Sequence, residues 1–73
     1  MKKFEVGKYY KSSFGVTYFC ERRTKYFVVL KELPADTYRK YRRAFWVDPK
    51  IKNCEYVKLT AEKTLWADEE TDK

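Results

Sequence analysis

The densest chemistry in this sequence is one short run, Tyr38-Arg39-Lys40-Tyr41-Arg42-Arg43, with Arg22, Arg23 and Lys25 gathered in a second basic stretch upstream. Lysine and arginine neutralise phosphates and release counterions, and interleaved aromatic rings stack on unpaired bases, which is how small barrels hold single-stranded nucleic acid. A plainer use exists for the same residues. A charge run is commonly a solvated face that keeps sheet edges from pairing, and no RNP-type or other nucleic-acid signature accompanies this one.

The chemistry of catalysis is poorly supplied. There is no histidine, and Glu5, Glu21, Glu32, Asp36, Asp48 and Glu55 stand singly, with no spacing that would converge two of them as an acid/base pair. Cys20 and Cys54 lie far apart, outside any Cys-x-x-Cys motif and without a histidine base, so they read as reduced thiols rather than as nucleophiles or metal ligands. With two glycines and no Gly-x-x-x-x-Gly-Lys-Ser/Thr sequence, a phosphate-cradling loop is also missing. The expectation is a protein that is not an enzyme and takes no metal or other cofactor.

Charge is unevenly placed. Residues 1–61 hold 15 basic and 6 acidic side chains, while residues 62–73 hold 2 basic and 5 acidic, within an overall net charge of +6. At 73 residues one small core is what the chain can build, and a large enclosed cleft for a small-molecule substrate is beyond it. The expected organisation is a single domain over residues 1–67 and an acidic, flexible tail over residues 68–73. No apolar run approaches the roughly 20 residues that span a bilayer, and Met1-Lys2-Lys3-Phe4-Glu5 turns polar before a signal-peptide core could form. A cytoplasmic protein without a membrane partner is therefore expected, in keeping with reduced cysteines.

The elements that must position these residues are strands. Aromatic residues make up 19% of the chain, and with the β-branched residues they outweigh Ala, Leu and Met, which favours sheet. A first strand is predicted at about Lys8–Ser12 after a turn at Gly7. Val16–Glu21 and Tyr26–Leu30 alternate as strands around a tight Arg22-Arg23-Thr24 connection, forming an antiparallel hairpin. Pro34 ends that hairpin. A turn or a single helical turn is expected over residues 35–40, with Asp36 as its cap, then a strand over Tyr41–Val47 and a turn at Asp48-Pro49-Lys50. Strands at Cys54–Leu59 and Thr64–Ala67 close an all-β chain of five to six short antiparallel strands, a small barrel or sandwich.

Across most of its length the sequence resembles a group of small bacterial proteins. The matching residues are Phe4-x-Val6-Gly7-x-Tyr9, Thr17-Tyr18-x-Cys20-x-Arg22-Arg23-Thr24 leading into Val28-x-Leu30, Arg42-Arg43-x-Phe45-x-Val47-Asp48, Glu55-Tyr56-Val57, and Ala67-Asp68. The group occurs in gut Firmicutes, often on phage or conjugative elements. The resemblance implies an SH3-like barrel and a genomic neighbourhood, not an activity. Where that pattern is commonly polar, this chain has Phe19, Phe27, Val29 and Trp46.

Those departures fall on one parity. If Tyr18, Cys20, Val28, Leu30, Phe45, Val47, Val57 and Leu59 face inward, period two turns Phe19, Phe27, Val29, Ala44 and Trp46 to the opposite face. The expectation is one aromatic stripe over three consecutive strands, either covered by Tyr38, Tyr41 or Trp66 or exposed as an interaction surface. The expected function is that of a binding module in which Phe19, Phe27 and Trp46 supply contact area, rimmed by Arg22, Arg23, Arg39, Arg42 and Arg43. A protein partner or a second copy of the chain ranks ahead of single-stranded DNA or RNA, and both stay open at this point.

Overall fold

The computed structural model describes residues 1–48 and 50–72, and all of its regular structure is β. Eight short strands follow in order: β1 (Tyr9–Lys11), β2 (Thr17–Arg23), β3 (Phe27–Leu33), β4 (Thr37–Arg42), β5 (Ala44–Asp48), β6 (Lys52–Lys58), β7 (Thr64–Trp66) and β8 (Glu70–Thr71). They form a five-stranded sheet in the order β4-β3-β2-β1-β8 and a three-stranded sheet in the order β5-β6-β7, with every strand pair antiparallel.

The alternation that predicts the β2–β3 hairpin also builds the core. Tyr18 and Cys20 on β2, and Val28 and Leu30 on β3, are buried on the inner face, in one cluster with Phe4, Tyr10, Val57, Leu65 and Ala67. Phe4 and Tyr10 pack edge to face with ring centroids 4.9 Å apart. Cys54 lies on the central strand of its sheet and is 1% exposed, although its parity is that of Trp46 and Tyr56, and the N-terminal segment bridges to it in parallel at Lys2.

Four expectations are corrected. The described residues form eight strands rather than five or six. The segment 35–40 carries no helical turn. The chain turns at 34–36, where Asp36 takes a left-handed φ of 63° that aspartate tolerates, and β4 then pairs with β3 from Glu32↔Thr37 onward. The predicted strand Tyr41–Val47 is two strands in two sheets, interrupted at Arg43, whose N–H donates to the Tyr26 carbonyl at 2.8 Å. The acidic segment after Asp68 is not wholly a tail either, since β8 pairs with β1 through Tyr9↔Thr71 and Tyr10↔Glu70. Glu70 is tied there by Lys2 at 3.2 Å and Lys8 at 3.6 Å. Pro49 of the predicted Asp48-Pro49-Lys50 turn and Lys73 lie outside the described residues.

A bulge between Cys20 and Arg22 sets which of the two neighbouring arginines faces inward. Cys20 pairs with Leu30, but Arg22 pairs with Val29 and Arg23 with Val28. One extra residue, Glu21, reverses the parity of the strand. Strict alternation would send Arg22 inward; the bulge sends Arg23 inward and leaves Arg22 on the outer face.

Candidate functional site

The two sheets divide the expected stripe. Trp46 is on β5, which among the described residues pairs with β6 alone, while Phe19 and Phe27 are on β2 and β3 of the other sheet. The parities were legible, since all three rings face outward, but they stand on two different sheets. The eight arginine and aromatic positions singled out from the sequence therefore fall into four places.

The first is a groove on the outer face of the three-stranded sheet. Pairing of Trp46 with Cys54 and of Tyr56 with Trp66 puts these side chains on one face. A concavity of about 490 Å³ is walled by Trp46, Ile51, Tyr56 and Trp66, with Lys52 and Lys58 at its border. Tyr56 and Trp66 lean on each other with ring centroids 4.8 Å apart and planes 39° apart. The Lys52 ammonium stands 4.1 Å from the centre of the Trp66 ring and 3.1 Å from the Asp68 carboxylate. Beside the groove, β5 is an edge strand with Phe45, Trp46 and Val47 exposed by 41%, 46% and 66%. Phe45 and Val47 have the parity of the inward Glu55, as expected of them, yet both are exposed and stand outside the core cluster. Tyr56 and Trp66 were missing from the expected site, although Tyr56 is outward by the same alternation that turns Val57 inward.

The second place is the outer face of the five-stranded sheet, which holds Phe19, Phe27, Arg22 and Arg42. Tyr9 lies opposite Phe19 with ring centroids 4.9 Å apart. Tyr38 is opposite Lys31, Lys40 opposite Val29, and Arg42 opposite Phe27. Cations sit over these rings: Lys31 is 5.6 Å from both the Phe19 and Tyr38 centroids, and Lys40 is 4.7 Å from that of Phe27.

The third place is internal. Glu55 is fully buried on β6, and Arg23 grips it with two parallel hydrogen bonds, Nη1 to Oε1 at 2.5 Å and Nη2 to Oε2 at 2.9 Å. Arg43 Nε donates to Oε2 at 2.7 Å, and the Phe4 N–H donates to Oε1 at 2.9 Å. Burial by itself would raise the Glu55 carboxyl, but the Arg23, Arg43 and Phe4 donors hold it below its ordinary value. Arg23 also donates to the Phe4 carbonyl at 2.8 Å, and Arg43 to the carbonyls of Thr24 and Lys25. These two arginines knit the chain together and are not a rim. Glu55 shares the inward parity of Val57 and Leu59, so a carboxylate in need of buried cations was signalled in the sequence.

The fourth place holds Arg39, on the inner side of β4 opposite Leu30, at the mouth of a smaller cleft of about 290 Å³ beside Tyr18, Glu32 and Tyr41. Burial and then the Glu32 carboxylate push the Tyr18 hydroxyl up to about 12.

Both thiols are buried and unbonded to each other. Burial pushes Cys20 up to about 11 and raises Cys54 as well, the opposite of what activates a nucleophile. Among the described residues no group of three or more Cys, Asp or Glu gathers to hold a metal, and no helix is long and apolar enough to cross a membrane. Comparison of the chain with protein-family models, with curated proteins and with solved structures finds no match.

Proposed function

We propose that this chain is a small, non-enzymatic binding module that recognises a protein partner through the Trp46–Tyr56–Trp66 groove. The observation that carries the reading is a concavity walled by three large aromatic side chains, two of them tryptophans, on a surface where Trp46 keeps 46% of its area exposed. Tryptophan and tyrosine dominate the energetics of protein interfaces, and contiguous exposed apolar surface marks such sites. The free edge of β5 borders this patch. An extended segment added there gains main-chain hydrogen bonds, and its alternate side chains enter the groove. Buried thiols with raised pKa values, and one buried carboxylate already claimed by two arginines, support the absence of catalysis. Reduced, unpaired cysteines support a cytoplasmic setting.

A second copy of the chain is the other protein occupant this surface suits, because an antiparallel pairing of two β5 edges is self-complementary. The test uses a built-in reporter: the chain has two tryptophans and both line the groove. Peptides selected on the immobilised protein should shift the tryptophan emission on binding, and Trp46→Ala should weaken them at least about tenfold, the scale of an interface hot spot. Sedimentation of the free protein over a range of concentrations separates self-association from peptide binding. Selected peptides that leave the emission unchanged and bind Trp46→Ala normally would place recognition elsewhere and sink this reading.

A further inference from the structure

The opposite sheet carries a surface of different chemistry. On the outward positions of β1–β4 the cations are Lys11, Arg22, Lys31, Lys40 and Arg42, and no carboxylate shares those positions. The acids at the border are Glu21 at the bulge, Asp36 in the β3–β4 turn, 3.2 Å from Lys31, and Glu69, Glu70 and Asp72 along the β8 edge beside β1. Between the cations lie the rings of Phe19, Phe27 and Tyr38, the first two half-buried and so held rigidly by the sheet, the last 51% exposed. An open antiparallel sheet with upright aromatic rings and no carboxylate on the outward positions of β1–β4 suits a chain of phosphates with unpaired bases.

We propose that the outer face of the five-stranded sheet binds single-stranded nucleic acid, bases stacking on Phe27 and Phe19 while Lys31, Lys40 and Arg42 meet phosphates. In the free protein the Lys40 and Lys31 ammonium groups rest over those rings. An exposed cation–π contact is weaker than base–aromatic stacking, so an arriving base displaces the ammonium and frees it for the adjacent phosphate. A duplex hides its base faces and offers this surface phosphates alone. The site is independent of the protein-binding groove, which lies on the other sheet and holds both tryptophans.

The test is a fluorescence-anisotropy titration of a labelled mixed-sequence single strand of about 16 nucleotides, the upper end of the footprint of one small barrel. Neutralising about three phosphates, one for each of Lys31, Lys40 and Arg42, gives a log–log salt slope of about −2.1. Phe27→Leu keeps apolar bulk and removes the stacking plane, so affinity should fall about fivefold or more. Lys40→Gln with Arg42→Gln, both exposed positions, should flatten the slope by about 1.4. Trp46→Ala should bind the strand within about twofold of the parent, and the strand should leave the tryptophan emission unmoved. Absence of binding at low salt overturns the proposal. So does equal affinity for duplex or heparin combined with an unaltered Phe27→Leu variant, which would reduce the face to general attraction for polyanions. Folding of each variant is checked by its thermal transition, and Phe19→Leu stands in should Phe27→Leu fail to fold.

Discussion

Arg23 and Glu55, 32 positions apart in the chain, meet as a two-pronged ion pair at the junction of the two sheets, with bonds of 2.5 and 2.9 Å. Glu55 is completely buried, whereas the Arg23 and Arg43 side chains keep 22% and 13% of their surface. A buried pair contributes little net stability relative to apolar packing, because desolvation offsets most of its attraction, but breaking one side of it is expensive. Its evident effect here is orientation. It joins β2, β6, the N-terminal segment and the β2–β3 loop through a single carboxylate.

Glu55→Gln should therefore destabilise the fold by about 3 kcal/mol, since two guanidinium groups lose their counter-charge. Urea unfolding checks the value. The triple variant Arg23→Met, Glu55→Met, Arg43→Met should lose less than Glu55→Met alone, because no charge is left stranded.

Acid should weaken the fold through the same residue. Its folded pKa lies below the ordinary carboxyl value of 4.5, so its contribution is complete above about that pH and is lost as the pH falls through the folded value. Urea midpoints measured from pH 6 downward should drop below about pH 4.5, and Glu55→Gln should show a smaller drop.

The alkaline limit has another origin. Burial pushes the Tyr10 and Tyr18 hydroxyls from 10.0 up to about 12, and the Cys20 thiol from 9.0 up to about 11. Their neutral forms are favoured in the fold, so stability is full below the unfolded values and fades between about pH 9 and pH 12. Tyrosinate absorbance should show Tyr10 and Tyr18 ionising late, with unfolding, and Tyr10→Phe should remove one late step.

Native thiol labelling should be slow. Cys20 and Cys54 are 0% and 1% exposed, and both are less readily ionised than a free thiol. Alkylation at pH 8 should proceed only at the rate of opening and accelerate sharply in urea.

The two tryptophans should separate in stability measurements. Trp46 is 46% exposed on an edge strand, so Trp46→Ala should cost under about 1 kcal/mol. Trp66 is half-buried against Tyr56, and Trp66→Ala should cost about 2 kcal/mol, below the range for a fully buried ring.

Much of this protein was legible in one dimension. Period two in Val16–Glu21 and Tyr26–Leu30 sorts Tyr18, Cys20, Val28 and Leu30 from Phe19, Phe27 and Val29, and the structure keeps that sorting. Outward parity for Trp46 was equally available. These are local consequences of the pleat, which any short strand obeys.

What the tertiary structure decided is which strands share a sheet and where parity breaks. Composition does not say that the chain changes sheets at Arg43, so Phe19 and Phe27 looked continuous with Trp46 when they belong to separate sheets. Nor does alternation foresee the extra residue at Glu21, because a bulge is selected by what it lets distant groups do. That one residue turns Arg23 inward to meet Glu55, and with Arg43 it converts two of the basic residues first noticed from surface charge into the internal tie of the fold. Period two depends on neighbours along the chain, whereas a buried ion pair depends on partners that only folding brings together.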